Sequence, residues 1–436
     1  MTPHDSPSPC GRGLEGGGPA SESSNAGVKL QPRPPPNPLP QGEGESKSTQ
    51  PRRRLRDRIF ANPRFQRWAA SFPLTRGIAR RRASGLFDLC AGFFYSQVLL
   101  ACVRLRLCDI LMEGPQPLDR LAARLSLPVD SASRLLEAAV ALRLAETLRD
   151  GRFALGVLGT ALVGNPSVAA LVEHNALLYA DLRDPVALLR HEQPETELGK
   201  LWPYAGHNPA PDAIAIYSTL MAESQPLVAA DVLETYDLAR HRCLLDLGGG
   251  DGSFLLAAAA AAPSLRLILF DLPAVAERAR ARFGAAGLTG RAQAIGGDLR
   301  SGVLPPGADL ISLVRVIHDH DDKSAMAILR AAREALPPDG TLLLAEPMAG
   351  TPGAETVGAY FHFYLLAMGS GRPRRPEELS EMLQKAGFAW VRLLPTRRPM
   401  LVRVLVADCR GPGSLPIPRR AGEETAAGQI PRPPVI

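Results

Sequence analysis

Short unbroken apolar runs alternate with helix-forming stretches through the second half of the chain. Runs that are apolar at every position, not at every second one, predict strands buried on both faces, as in a parallel sheet covered by helices. Cys243, Leu244 and Leu245 end the first such strand, and Asp246 stands where it stops. Four glycines and the helix-former run FLLAAAAAA follow, closed by Pro263. LRLILFDLP is a second strand ending in Asp271, and AQAIGGDLR a third unit ending in Asp298. Leu310 to Ile317 reads as a fourth strand with His318 just past its end. Asp321 or Asp322 caps the next helix, Pro337 to Gly340 ends it, and a further strand runs to Glu346. Residues 354–370 form an aromatic-rich and Met-rich helix, and EELSEMLQK another. A turn at Gly387 and two strands complete the sheet. The fold class is α/β, with a doubly wound sheet.

The first half reads differently. About eighteen mostly apolar residues from Leu86 to Val103 approach a membrane-spanning length, but Asp88, Ser96 and Gln97 interrupt them. A core or dimer helix fits this run better than a span. Pro117 and Leu118 then lead a short helix, Asp130 caps a second carrying Leu135, Leu136, Ala139 and Leu142, and ETLRDGRFAL predicts a hairpin about Asp150-Gly151. Two helices and a hairpin make a winged-helix pattern. Its second helix offers only Arg134 and Arg143 to a DNA groove, so dimerisation or covering a substrate suits it better than reading DNA. Residues 165–235 look helical.

Residues 1–50 are rich in Pro, Gly and Ser with few large apolar side chains, which predicts a disordered extension, and 411–436 read the same way. The expected organisation is an extension over 1–50, a basic linker or helix over 51–85, a helical winged-helix-like domain over 86–235, an α/β domain over 236–410 and a tail over 411–436. Of the 436 residues, 45% are hydrophobic and 22% charged, an ordinary soluble composition. The net charge of +6 gathers in Arg52, Arg53, Arg54, Arg56 and Arg58 and in Arg80, Arg81 and Arg82, a pattern that suits an anionic membrane surface, a nucleic acid or a solvated linker. Six cysteines without a CxxC pair predict reduced thiols in a cytoplasmic protein, and no signal peptide is evident.

The chemistry centres on residues 246–252. The nicotinamide fingerprint G-x-G-x-x-G fails because Ser253 takes its last glycine position, whereas Asp246, Gly248, Gly250 and Gly252 fill Asp-x-Gly-x-Gly-x-Gly. Asp271 is placed to accept two ribose hydroxyls, and Asp298 is the right acceptor for an adenine amino group. His318 at a strand end beside such a crevice is a candidate base. The carboxylates around it suit helix caps better than metal ligands, so no metal is expected. Tyr217, Met221 and Ser224 share a helix face, and Tyr364 and Met368 lie on the aromatic helix; core packing and pocket lining both fit them.

Taken together, the winged-helix-like module, DLGGGDGSF, FDLP, GGDL, VIHDHDD and KAGF resemble the S-adenosylmethionine (SAM)-dependent O-methyltransferase family, over roughly residues 86–409. The resemblance implies a Rossmann-like class I methyltransferase domain behind a dimerisation domain, and a homodimer. By motif match Gly248, Asp271, Asp298 and Leu299 would hold SAM, and His318 would be the general base. Glu346 would orient it, and Tyr217 and Met221 would face substrate. NPRFQRWAASFPLTRGIARRRA, LFDLCAGFFYSQVLLACVRLRL, YADLRDPVALLR and FYLLAMGSGRPR look most like the family's carotenoid members in purple phototrophic bacteria, which act on hydroxyneurosporene or demethylspheroidene. A hydrophobic carotenoid substrate and peripheral membrane association follow as expectations, with no nucleic acid partner. A small phenol, a chlorin carbon, a winged-helix regulator and an inactive dimer partner are the alternatives. One family feature is missing. The second acid that orients the base in plant members falls on Pro373, and the lysine before their histidine falls on Val314, with Arg315 one place later and given no role.

Overall fold

The computed structural model describes residues 50–202 and 225–411, in two units that meet at Leu86 and Phe87. Tyr217, Met221, Ser224 and the two terminal tails lie outside the described residues.

The first unit contains helices Gln50–Ala61 and Pro63–Ser71 and the start of a third, Arg76–Arg104. Asn62 divides the first two. Its side chain accepts from the Arg64 N–H at 2.9 Å, and Pro63 occupies the first helical position, where a missing donor costs nothing.

In the second unit the rest of helix Arg76–Arg104 buries only Ala91, Leu100 and Cys102. Leu89, 82% exposed, and Phe87, Phe93 and Phe94 point outward, which corrects the core reading of this run; the dimer reading stands, and by length and composition the helix is also long and apolar enough to cross a membrane. The winged-helix pattern is present. Helices Leu118–Leu125 and Val129–Ala141 precede the antiparallel pair β1 (Ala145–Thr147) and β2 (Phe153–Leu155). Asp130 is not the cap, however. Pro128 holds that place, and Asp130 sits in the first turn with Arg134 at 2.9 Å.

The larger sheet contains β3 (Cys243–Leu247), β4 (Arg266–Asp271), β5 (Ala292–Gly296), β6 (Leu310–Val314), β7 (Thr341–Glu346), β8 (Trp390–Leu394) and β9 (Arg403–Asp408). Their order is β5-β4-β3-β6-β7-β9-β8, parallel from β5 to β7, with β9 antiparallel to β7 and to β8. Alternate side chains of β3 feed two cores. Leu245 and Leu247 pack with Ile311, Leu313, Ile328 and Leu344, and Leu244 packs with Phe254, Leu267, Phe283 and Leu343. The chain leaves β3 towards β4 on one side, while β6 pairs on the other. The crevice beyond the C-terminal ends of β3 and β6 is therefore the switch point, where open α/β sheets bind ligands.

β6 is shorter than its apolar run predicts. It stops at Val314, because Arg315 takes a left-handed conformation (φ 60°) and turns the chain into a 3₁₀ turn, Ile317–Asp319. That bend carries His318 away from the strand line and back over the sheet edge.

Candidate active site

The glycine turn after β3 combines open and crowded positions. Gly248, Gly250 and Gly252 all have positive φ (67°, 60° and 82°), which side-chain-bearing residues rarely adopt. A Cβ at Gly250 would meet nothing within 4 Å, so this backbone faces open space. A Cβ at Gly248 would lie 2.9 Å from the Val316 side chain and 3.5 Å from that of Leu299. The turn therefore packs directly on the segment leading to His318. At Gly249 the obstacle is the Asp246 carboxylate, 2.5 Å from an added Cβ. We expect Gly249→Ala to cost about 1–3 kcal/mol by overpacking and to weaken SAM binding. Melting curves and a binding isotherm check this, and an unchanged isotherm would remove Gly249 from the site.

Three acids surround the turn in different states. Asp271, fully buried, accepts from the Gly250 N–H through Oδ2 (2.8 Å) and from the Leu272 N–H through Oδ1 (2.7 Å). A carboxylate anchored at this strand end suits two adjacent ribose hydroxyls. Asp246 accepts from the Ser312 hydroxyl at 2.6 Å, while its Oδ2 is buried without a hydrogen-bond partner. Burial pushes this carboxyl up to about 7, against the Ser312 hydrogen bond, and the nearby charge of Asp271 adds to the rise. Asp298 is half exposed and bound by Arg300, whose backbone N–H donates at 2.8 Å and whose guanidinium lies at 2.9 Å. The Arg300 hydrogen bond holds its carboxyl below the ordinary range although burial opposes this. Leu299 beside it is buried. An open glycine backbone, a doubly anchored acid at the next strand end and an orphaned buried carboxylate oxygen fit a nucleoside with a charged tail. These residues therefore suit SAM.

The proton-handling group sits across the same edge. Glu346, the last residue of β7, accepts from the Val316 and Ile317 N–H groups through Oε1 at 3.0 and 2.6 Å. Its Oε2 takes the Nδ1 hydrogen bond of His318. One carboxylate thus fixes both the loop backbone and the ring. The other nitrogen, Nε2, lies 3.1 Å from Asp319 Oδ1. Burial disfavours a charged ring here, but Asp319 and Glu346 outweigh it and raise the His318 pKa to about 10. Two flanking carboxylates thus favour the protonated ring and stabilise an imidazolium once it forms.

Residues to which the motifs gave no role complete this arrangement. Asp319 supplies the second carboxylate, where the family's position is occupied by Pro373. Arg374 is the largest fully buried side chain among the described residues, and it donates to the carbonyls of Ile317 (2.7 Å) and His320 (2.8 Å) and to Asp322 (2.7 Å). It staples the turn that carries His318. Arg372 N–H and the Ser370 hydroxyl bind the carbonyls of His318 and Asp319 at 2.9 and 2.8 Å. Phe361 of the aromatic helix sets its ring edge-on to His318 with centroids 5.9 Å apart. Asp321 is the helix cap, accepting from the Ser324 N–H at 2.7 Å. Nothing in the local HDHDD pattern separates these roles.

The aromatic helix, Glu355–Met368, brings Tyr360, Phe361 and Tyr364 into one cluster. The Tyr364 hydroxyl meets His174 Nε2 at 3.0 Å, and the Tyr360 hydroxyl donates to Asn175 at 3.0 Å. Burial raises both phenols above their ordinary range, partly opposed by the positive charge of Arg315. Tyr364 and Met368 are buried with Leu178, Leu188, Leu198 and Trp202. Both thus join the helical region to the site. Arg315 itself reaches towards Gln225 at 3.5 Å.

Comparison with known proteins agrees with this geometry. Residues 87–165 match an O-methyltransferase dimerisation domain and residues 179–389 an O-methyltransferase domain. The demethylspheroidene O-methyltransferase of Cereibacter sphaeroides is 45% identical, covering 81% of this chain and 94% of that protein. Its Rhodobacter capsulatus counterpart is 41% identical, covering 80% and 88%. Among solved structures, the mitomycin 7-O-methyltransferase MmcR has a TM-score of 0.64 at 26% identity, covering 76% of this chain and 99% of that one. PigF with SAH scores 0.62 at 25% identity, covering 74% and 99%. The glycine turn, the anchored Asp271 and the ring held by Glu346 thus lie in a chain that belongs to the SAM-dependent O-methyltransferase family.

Proposed function

We propose that this enzyme methylates the tertiary 1-hydroxyl of an acyclic carotenoid of the hydroxyneurosporene or demethylspheroidene type. The observation that carries the chemistry is the His318 ring, clamped by Glu346 at the sheet edge on which the glycine turn packs. The two demethylspheroidene O-methyltransferases, at 45% and 41% identity, support the substrate class. The enzyme acts as a homodimer. Residues 87–165 match the dimerisation domain, and Leu89, Phe93 and Phe94 stand exposed in the single chain. A long polyene dissolves in lipid, not water, and this supports a reading in which the enzyme works at a membrane surface.

SAM, when bound, supplies a methyl group already activated on a sulfonium. The chain's own residues must then hold the anionic and ribose ends of that ligand and remove one proton from the alcohol. Gly248, Gly250, Gly252, Asp246, Asp271, Asp298 and Leu299 do the holding. A tertiary alcohol is too weakly acidic for an imidazole to ionise it in advance, so proton removal accompanies bond formation. His318 accepts the proton, and Asp319 and Glu346 flank the ring as one unit that stabilises the imidazolium formed. Tyr217 and Met221 would face the substrate by motif match, whereas Tyr364 and Met368 pack in the core with Leu178 and Trp202.

Two experiments test this. Methyl transfer from labelled SAM is measured with 1-hydroxy carotenoids in detergent micelles and with caffeic acid and N-acetylserotonin in parallel. Label on the carotenoid alone is expected, and label only on a phenol would overturn the substrate. The second is a pH profile. Activity needs His318 to lose a proton, so kcat rises with pH towards the raised value near 10. Asp319 helps to raise it, so Asp319→Asn moves the rising limb to lower pH. A limb that stays in place would remove Asp319 from the unit.

A further inference from the structure

We infer that the helices over residues 50–82 form an interfacial anchor for an anionic phospholipid surface. This deepens the reading of a lipid-dissolved substrate, but it stands on the first unit alone. Helix Pro63–Ser71 buries none of its residues. Instead, Phe60, Phe65, Trp68 and Phe72 form a continuous row, with successive ring centroids 5.5, 5.6 and 5.0 Å apart. Trp68 is 50% and Leu74 82% exposed, and Leu55, Ile59 and Ile78 are exposed as well. The row is built, not frayed. Gln66 donates to the Phe60 carbonyl at 2.8 Å, Thr75 to that of Ala69 at 2.8 Å, and the Arg82 guanidinium lies 5.5 Å over the Phe60 ring.

Around this apolar row the charge is almost all of one sign. Arg56, Arg58, Arg64, Arg67, Arg76, Arg80, Arg81 and Arg82 stand against Asp57, the only acid between Pro51 and Leu86, and Asp57 is paired with Arg56. Exposed aromatic and aliphatic side chains beside arginines are what a helix needs to lie in a bilayer interface, with rings at the headgroup level and cations on anionic lipid. The two signals reinforce each other, since neither alone holds a protein stably. A nucleic acid would engage the arginines but offers nothing to Leu55, Ile59, Leu74 and Ile78. A second copy would set arginine against arginine, and the matched dimerisation domain begins only at residue 87.

The test is co-sedimentation of the full chain with vesicles of phosphatidylcholine, alone or with 30% phosphatidylglycerol, and no carotenoid present. Binding is expected to the anionic vesicles and at least tenfold weaker to the neutral ones. Each arginine near such a surface strengthens binding about fivefold, so Arg76→Gln/Arg80→Gln/Arg81→Gln should weaken it about 100-fold. Trp68→Ser/Leu74→Ser/Ile78→Ser should abolish pelleting at both compositions. Unchanged SAM binding shows that each variant is folded. Equal pelleting with both vesicle types, variants that bind like the parent, displacement by duplex DNA, or loss of the dimer in the apolar variant would each overturn the anchor. Because no methyl acceptor is present, failure of the carotenoid assay leaves this result standing, and the reverse also holds.

Discussion

Replacing His318 by alanine lowers kcat by about 100-fold or more, the usual scale for a positioned base, while SAM still binds. His318 donates none of the contacts of the glycine turn, so the loss falls on turnover and not on the cofactor isotherm. Glu346→Gln separates two parts of the effect. The amide can still accept from the Val316 and Ile317 N–H groups through its oxygen, as Glu346 does at 3.0 and 2.6 Å, but it cannot stabilise a charged ring. This variant keeps its fold and loses much of its rate. Initial rates with labelled SAM at saturating acceptor measure both. Near-parental turnover of His318→Ala would sink the assignment.

Arg374→Met has the largest expected effect on stability, about 3 kcal/mol. Asp322, largely exposed, rehydrates when its partner goes, but the carbonyls of Ile317 and His320 each lose a charge-assisted donor, and Ile317 keeps only the His320 N–H at 3.3 Å, at about 1–3 kcal/mol for each bond lost. The turn that presents His318 also loses its staple, so kcat falls further than SAM affinity. Arg374→Lys recovers only part, since one ammonium cannot reproduce the planar fork that serves two carbonyls and a carboxylate. Urea unfolding gives the stability change. An Arg374→Met enzyme with full rate would show that the turn holds its shape unaided.

Both predictions concern a turn whose composition is local and whose geometry is not. The strands were legible from sequence because burial on both faces demands apolar residues at every position, which a window of five residues displays. The glycine turn, Asp271, His318 and Glu346 were legible for a related reason, since ligand-facing groups of an open sheet stand at strand ends. The winged-helix module was carried by Pro117, Pro128 and Asp150-Gly151, which punctuate the chain whatever lies around them.

What the sequence withheld depends on distant partners. HDHDD presents three aspartates of equal chemistry, and only tertiary placement gives Asp319 to His318, Asp321 to a helix N-terminus and Asp322 to Arg374. Arg374 reads as one arginine among several in GRPRRP until the chain brings it under Ile317, 57 residues away in sequence. The end of β6 was misread because Val316 and Ile317 are as apolar as the strand. The left-handed turn at Arg315 ends the strand, and Glu346 takes the Val316 and Ile317 N–H groups that would have continued the pairing. The apolar face from Leu86 to Phe94 follows the same division. Its composition demanded cover, and the fold of one chain leaves it uncovered. Local physics, period and turn chemistry, was written in the sequence, whereas which partner neutralises a buried charge or covers an apolar face was decided only when residues far apart in the chain met.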